Sequence, residues 1–140
     1  MNYDELLLSK ISKLSRLAPK VMEKPLSSID ISIQEFRIVG LLIGEEGISQ
    51  KDLAKKLSVK PSTLSVAIRK LEGKGYIDRE VSMADKRVNY LTLNDDVDLT
   101  EAINVVRDFE GELTIGITKK DVETTKKVLN KMLKNLELNF

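Results

Sequence analysis

The chain has 140 residues, 41% apolar, 32% charged and 4% aromatic, with a formal net charge of +1, a size that predicts one domain or one core with a helical extension. It contains no cysteine and no histidine, which excludes disulfides, thiol redox sensing, cysteine nucleophiles, imidazole-ligated zinc and histidine-based catalysis; of metal chemistry, carboxylate-only binding stays open. So few aromatics argue against a base-stacking platform for RNA or single strands.

The start, Met1-Asn2-Tyr3-Asp4-Glu5, lacks a basic region and a long apolar core, and no apolar run approaches the roughly 20 residues that span a bilayer. A cytoplasmic protein is predicted. From about Asp4 to Met22, Leu7, Ile11, Leu14, Ala18, Val21 and Met22 repeat at helical spacing, while Leu6, Leu8 and Leu17 widen the apolar arc. A helix this apolar requires two partners. Pro19 interrupts the pattern and predicts a kink or an early stop, Lys24-Pro25 ends whatever continues, and residues 26–31 read as a connector.

Ser32-Ile33-Gln34-Glu35 forms a capping box that opens a second helix, with Phe36, Val39 and Ile43 as its expected core stripe. The run Gly44-Glu45-Glu46-Gly47 breaks that helix, and Ile48 can add a short strand to a later sheet. Ser49 then caps a helix on which Leu53, Ala54 and Leu57 share one face, Asp52 giving a weaker capping box. After a turn through Ser58-Val59-Lys60, Pro61 occupies the first position of another helix, and Leu64, Ala67, Ile68 and Leu71 make its apolar face. The opposite face carries Ser62, Thr63 and Ser65, then Arg69 and Lys70. Short hydroxyls at a helix N-terminus allow close approach to base edges and phosphates in a major groove, and Arg can contact guanine through two hydrogen bonds.

Gly73 and Gly75 end that helix, and residues 76–81 and 88–93 have strand content, with Val88, Tyr90 and Thr92 on one side. The tip between them ends in Lys86-Arg87, placed to probe a minor groove or its phosphates. Charge follows the same division: residues 47–94 hold ten Lys and Arg against five Asp and Glu, whereas residues 95–140 hold seven against ten. Such segregation is expected if the centre meets phosphates.

Beyond the hairpin, Asn94 or Asp95 is the expected cap of a long helix bearing Leu99, Ile103, Val106, Phe109 and Leu113, whose N-terminal dipole suits Asp95, Asp96 and Asp98. Gly111 is its weak point and Gly116 its expected end. Thr118-Lys119-Lys120-Asp121 caps a last helix with Val122, Thr125, Leu129, Met132 and Leu136 on one face. The first helix and the C-terminal pair expose more apolar stripe than one small domain needs, which predicts a two-fold dimer. Tyr3, Tyr76 and Tyr90 read as core aromatics before they read as a ligand pocket.

Three pieces, Leu57 to Ser65, Leu71 to Arg79, and Asp85-Lys86-Arg87 with Leu91-Thr92-Leu93, resemble in order and spacing the winged-helix core of MarR-family transcriptional regulators. The resemblance implies a mainly α fold with a small β-hairpin wing. Residues 33–94 would form the winged helix-turn-helix DNA-binding region, and residues 1–32 and 95–140 the helical dimerisation region. On the recognition helix, Ser62, Thr63, Ser65, Val66, Arg69 and Lys70 would face DNA. Val66 stands where many members carry a polar or basic residue, and it can meet a thymine methyl or the groove wall. In the wing, Arg87 would enter the minor groove oriented by Asp85, with Lys86 on a phosphate and Arg79 bracing the wing base. The implied function is a homodimeric, sequence-specific regulator of double-stranded DNA with no cofactor and no enzymatic activity. A crevice near the first helix, the Phe36 helix and the start of the Leu99 helix would admit a small-molecule effector. The alternative, a winged helix that binds protein partners and not DNA, has no need of the Asp85-Lys86-Arg87 tip.

Overall fold

A computed structural model describes residues 1–45 and 47–139. Glu46, within the expected helix-breaking run, and Phe140 lie outside the described residues. Asn2 Oδ1 accepts the Asp4 N–H at 3.1 Å and starts a single 3₁₀ turn over Tyr3–Glu5, after which α1 runs over Leu7–Ser28. Neither Pro19 nor Pro25 ends it, which corrects the expected stop and moves residues 26–28 from connector to helix. Each proline deprives the carbonyl four residues earlier of its donor. Those carbonyls belong to Ser15 and Val21, both exposed, where water can take the place of the lost bond. Beyond Pro19, Met22 and Leu26 are buried, and about 1.5–3 kcal/mol for each such side chain offsets the roughly 3 kcal/mol cost of an interior proline.

Asp30, at a left-handed φ of 59°, turns the chain into α2 (Ile33–Leu42). The capping box is complete: Ser32 Oγ accepts the Glu35 N–H at 3.1 Å and Glu35 Oε1 accepts the Ser32 N–H at 3.3 Å. The buried stripe is Ile38, Val39 and Leu42. Phe36 is only half-buried and Ile43 is exposed, because Ile43 leaves the helix in extended backbone and so loses the register that would have put it on the core side.

The expected short strand β1 (Ile48–Ser49) forms. It pairs with β3 (Asn89–Leu93), which pairs in turn with β2 (Ile77–Val81), all antiparallel in the order β1-β3-β2. Ile48 sits opposite Leu91, and Ile77 opposite Leu93. Between β1 and β2 lie α3 (Gln50–Leu57) and α4 (Pro61–Gly73). Ser49 Oγ accepts the Asp52 N–H at 3.1 Å, and Ser58, at φ 54°, closes α3 in left-handed backbone. Leu53, Leu57, Leu64, Ile68, Leu71 and Leu91 meet Ile38 and Leu42 in one core. Tyr76 packs against this core, whereas Tyr3 and Tyr90 are exposed and do not join it.

The next helix, α5 (Thr100–Leu113), starts later than Asn94 or Asp95 would have it. Asn94 is held by the sheet, its N–H donating to the Tyr76 carbonyl at 2.9 Å, while its Oδ1 accepts the Asp96 N–H at 2.8 Å in a local turn. Asp98 makes the later start: its Oδ1 accepts both the Thr100 N–H at 2.9 Å and the Thr100 hydroxyl at 2.6 Å. Gly116, at φ 78°, follows the helix end, and Thr118 Oγ accepts the Asp121 N–H at 3.1 Å to open α6 (Lys119–Asn139). The chain divides into two compact units, Met1–Val105 and the residues from Val106 onward. In the first, α1 leaves Leu7, Leu8, Leu14 and Val21 exposed; in the second, Val128, Leu129, Leu133 and Leu136 of α6 are exposed. Among the described residues no helix is long and apolar enough to cross a membrane.

Candidate nucleic-acid interface

Helix α4 owes its position to its buried face. Leu64, Ile68 and Leu71 are fully enclosed and Ala67 is nearly so, which turns Ser62, Thr63, Val66, Arg69 and Lys70 outward, all exposed. Ser65 is half-buried at the edge of this face. The wing is tied to the same helix by an ion pair, Arg79 Nη2 to Glu72 Oε1 at 2.6 Å. Arg79 thus braces the base of the wing, as expected.

The wing tip is a closed local structure. The Ser82 N–H donates to the Val88 carbonyl at 2.9 Å and the Val88 N–H to the Asp85 carbonyl at 3.0 Å, while Ser82 Oγ accepts the N–H groups of Ala84 and Asp85 at 3.2 and 3.3 Å. Asp85 grips Arg87 three times: Oδ1 accepts from its backbone N–H at 3.0 Å and its Nε at 3.2 Å, and Oδ2 from Nη2 at 3.3 Å. The guanidinium and then the backbone N–H of Arg87 hold the Asp85 carboxyl below the usual carboxylate range. Although restrained in this way, the Arg87 side chain remains 90% exposed. Lys86 beside it is exposed as well.

An open concavity of about 430 Å³ lies between the start of α3, the edge of α4 and the wing, lined by Ser49, Gln50, Lys51, Ser65, Arg79, Arg87, Val88 and Asn89. Of the residues singled out from the sequence, it brings Ser65 and Arg87 together; Ser62, Thr63, Val66, Arg69, Lys70, Asp85 and Lys86 are not among its lining residues. Gln50 and Lys51 are additions that sequence reasoning missed. Gln50 Nε2 donates to Ser65 Oγ at 2.8 Å, a contact across 15 residues that no local spacing announces.

A second concavity, about 560 Å³, lies between α1 and the start of α2, lined among others by Pro19, Lys20, Glu23, Gln34, Glu35 and Lys74. Its lining is mixed in charge, and no residue of α5 contributes to it. Lys74, at the end of α4, reaches into it and joins Glu35 Oε2 at 2.8 Å and the Asp30 carbonyl at 2.6 Å. Among the described residues no group of three or more carboxylates is placed to hold a metal ion.

Residues 31–88, from the residue before the α2 cap through the wing tip, match the MarR family model. The whole fold is similar to that of the transcriptional regulator BldR from Sulfolobus solfataricus, with 28% identity, a TM-score of 0.82, and coverage of 96% of this chain and 99% of that one. It is similar also to MepR from S. aureus in a complex with DNA, at 27% identity and a TM-score of 0.74 over 93% of this chain and 98% of that one. A mutant MarR from E. coli complexed with operator DNA matches at 25% identity and a TM-score of 0.67 over 92% of this chain and 99% of that one. Residues 31–88 thus carry a MarR-type winged-helix core, and the fold around that core is shared with these regulators across nearly their full length.

Proposed function

We propose that this protein is a sequence-specific, double-stranded DNA-binding transcriptional regulator that acts as a homodimer and performs no catalysis. The observation that carries the reading is the pairing of an exposed hydroxyl-and-cation face on α4 with Arg87, held out at the wing tip by Asp85. A recognition helix in the major groove with a basic tip in the adjacent minor groove uses both features. The MepR and MarR neighbours described in complex with DNA support it. Residues 33–94 are assigned to DNA, and residues 1–32 and 95–140 to the dimer.

The assigned contacts separate specificity from electrostatic affinity. Arg69→Ala is expected to cost about 1–3 kcal/mol on the cognate duplex and relax preference at one base pair, whereas Lys86→Ala weakens all sequences alike and lowers the salt slope by about one. Fluorescence anisotropy on cognate and random duplexes across a salt series reads both; equal losses on both duplexes for both variants would contradict the assignment. Control by a small molecule belongs to the same proposal. The charged lining of the concavity between α1 and α2 supports a polar or ionic effector there. Linkage requires DNA to weaken effector binding by the factor with which effector weakens DNA binding. Calorimetric titration of candidate acids with and without duplex tests this, and a compound bound equally well in both is not the signal.

A further inference from the structure

We infer that Gln50 is a positioning residue that fixes the polarity of Ser65, so that Ser65 meets DNA as a hydrogen-bond donor and reads an acceptor. The inference rests on the DNA-binding reading above. A serine hydroxyl has one proton and two lone pairs and rotates to suit its partners, so an unrestrained serine discriminates poorly between donors and acceptors. Ser65 is restrained. The Gln50 carboxamide donates to its oxygen at 2.8 Å in a half-buried setting, which leaves the hydroxyl proton to be given elsewhere.

Inside the protein that proton has no recipient among the described residues. Ser15, Thr114 and Thr125 turn their hydroxyls back onto helix carbonyls three or four residues earlier, at 2.7–2.9 Å, the usual internal outlet for a helical hydroxyl. Ser65 makes no such bond; its own carbonyl faintly engages Arg69 Nε at 3.5 Å. Its surroundings include Lys51, Arg79 and Arg87, cations without an acceptor atom in the side chain, together with Ser49 and Asn89, whose side-chain oxygens take no hydrogen bond from Ser65 among the described residues. Since no oxygen of the described residues takes this proton, it is free for an acceptor supplied from outside. Duplex DNA supplies two kinds: base-edge atoms such as guanine O6 and N7 or thymine O4, and phosphate oxygens. A base amino group, itself a donor, would be rejected at this position.

The geometry places the two residues at a functional crossing. Gln50 is the first residue of α3, immediately after the Ser49 cap, and Ser65 lies in the second turn of α4. The bond therefore joins the two helices of the helix-turn-helix at the mouth of the concavity shared with Arg87.

A double-mutant cycle tests the polarity. Gln50→Glu replaces a donor by a group that only accepts, so it draws the Ser65 proton inward; the added negative charge weakens DNA binding generally, but that effect cancels when Ser65→Ala is measured within each background. On a duplex selected from a random pool by the wild-type protein, Ser65→Ala is expected to lose about tenfold affinity in the wild-type background and less than about twofold in the Gln50→Glu background. Single-base substitutions and methylphosphonate linkages across the site then name the acceptor. Loss confined to one base pair identifies a base edge, and loss at one linkage on every sequence identifies a phosphate. Far-UV circular dichroism checks that each variant is folded; Gln50→Met, neutral and without a donor, provides a second background, in which the cost of Ser65→Ala is also expected to shrink. If the wild-type chain enriches no duplex, the DNA-binding reading and this inference fall together. If it does enrich one but Ser65→Ala costs the same in all backgrounds, or nothing in the wild type, this inference alone is overturned.

Discussion

A Leu129→Glu, Leu136→Glu double variant is expected to sediment as a monomer and to lose about 10²- to 10⁴-fold affinity for a duplex with two half-sites, while a single half-site is bound as before. Both leucines lie exposed on α6, at 40% and 58%, and α1 carries its own exposed stripe of Leu7, Leu14 and Val21. Isolated apolar residues at a surface need no explanation, whereas rows of them at helical spacing support the proposed dimer. In a two-fold interface every substitution appears twice, so two changes per chain put four carboxylates into an apolar contact. Glutamate is nearly as good a helix former as leucine, so α6 itself survives the change. The loss in DNA affinity has a simple origin. Half-sites one helical turn apart, about 34–36 Å, bind two recognition helices at once only if the helices are linked. A chain ending at Ile117 is expected to behave in the same way. Analytical ultracentrifugation decides the matter: an intact chain that is monomeric at micromolar concentration, or a variant that remains dimeric, would overturn the dimer.

Lys74→Met is expected to destabilise the first unit by about 3 kcal/mol at neutral pH, the low end of the range for breaking a buried pair, because Lys74 is itself partly exposed. Glu35 is only 4% exposed. Burial pushes its carboxyl up, yet hydrogen bonds from Lys74 and Ser32 outweigh burial and hold it below the usual range. Burial likewise pushes Lys74 down, and the Glu35 hydrogen bond and charge, with help from Asp30 and Tyr76, raise it above the ordinary lysine value. The Glu35 contribution is thus present above the ordinary carboxylate pKa and lost as pH falls through the depressed one. The Lys74 contribution is present below the ordinary lysine pKa and lost as pH rises through the elevated one. Between those limits the pair is fully effective. In the variant, Glu35 keeps its burial but loses its cation, so protonation relieves it at higher pH than in the wild type. The stability gap, measured by urea unfolding, is therefore expected to narrow from pH 7 towards pH 4. A gap that is absent at pH 7 or widens in acid would refute the account. The consequence extends beyond stability, since Lys74 joins the end of α4 to the start of α2.

Much of the winged-helix core is legible in the sequence, because its determinants are local. A helical period places Leu64, Ala67, Ile68 and Leu71 on one side of α4 and so, by elimination, Ser62, Thr63, Val66, Arg69 and Lys70 on the other. Proline at the first position of α4, the Ser32–Glu35 capping box and the Ser49 cap act within one turn of chain. The Asp85–Arg87 grip spans two residues, so the wing tip too is within reach of sequence reasoning. Three elements depart from their local signals. Helix α1 continues past Pro19 because Met22 and Leu26 find a core to enter, and Ile43 drops out of the stripe because α2 stops before it. Helix α5 starts late because a carbonyl 18 residues upstream, that of Tyr76, holds Asn94 in place.

What the sequence determined by itself, then, are the elements and the face each one turns outward, since propensity, capping and periodicity depend on neighbours within about a turn. Only the tertiary structure decided the contacts that join elements: Gln50 with Ser65 across 15 residues, Arg79 with Glu72 across 7, and Lys74 with Glu35 across 39. Side chains that distant along the chain meet only when packing of the apolar faces sets the angles between helices. Their hydrogen bonds are a product of the core and leave no period in the sequence that makes it.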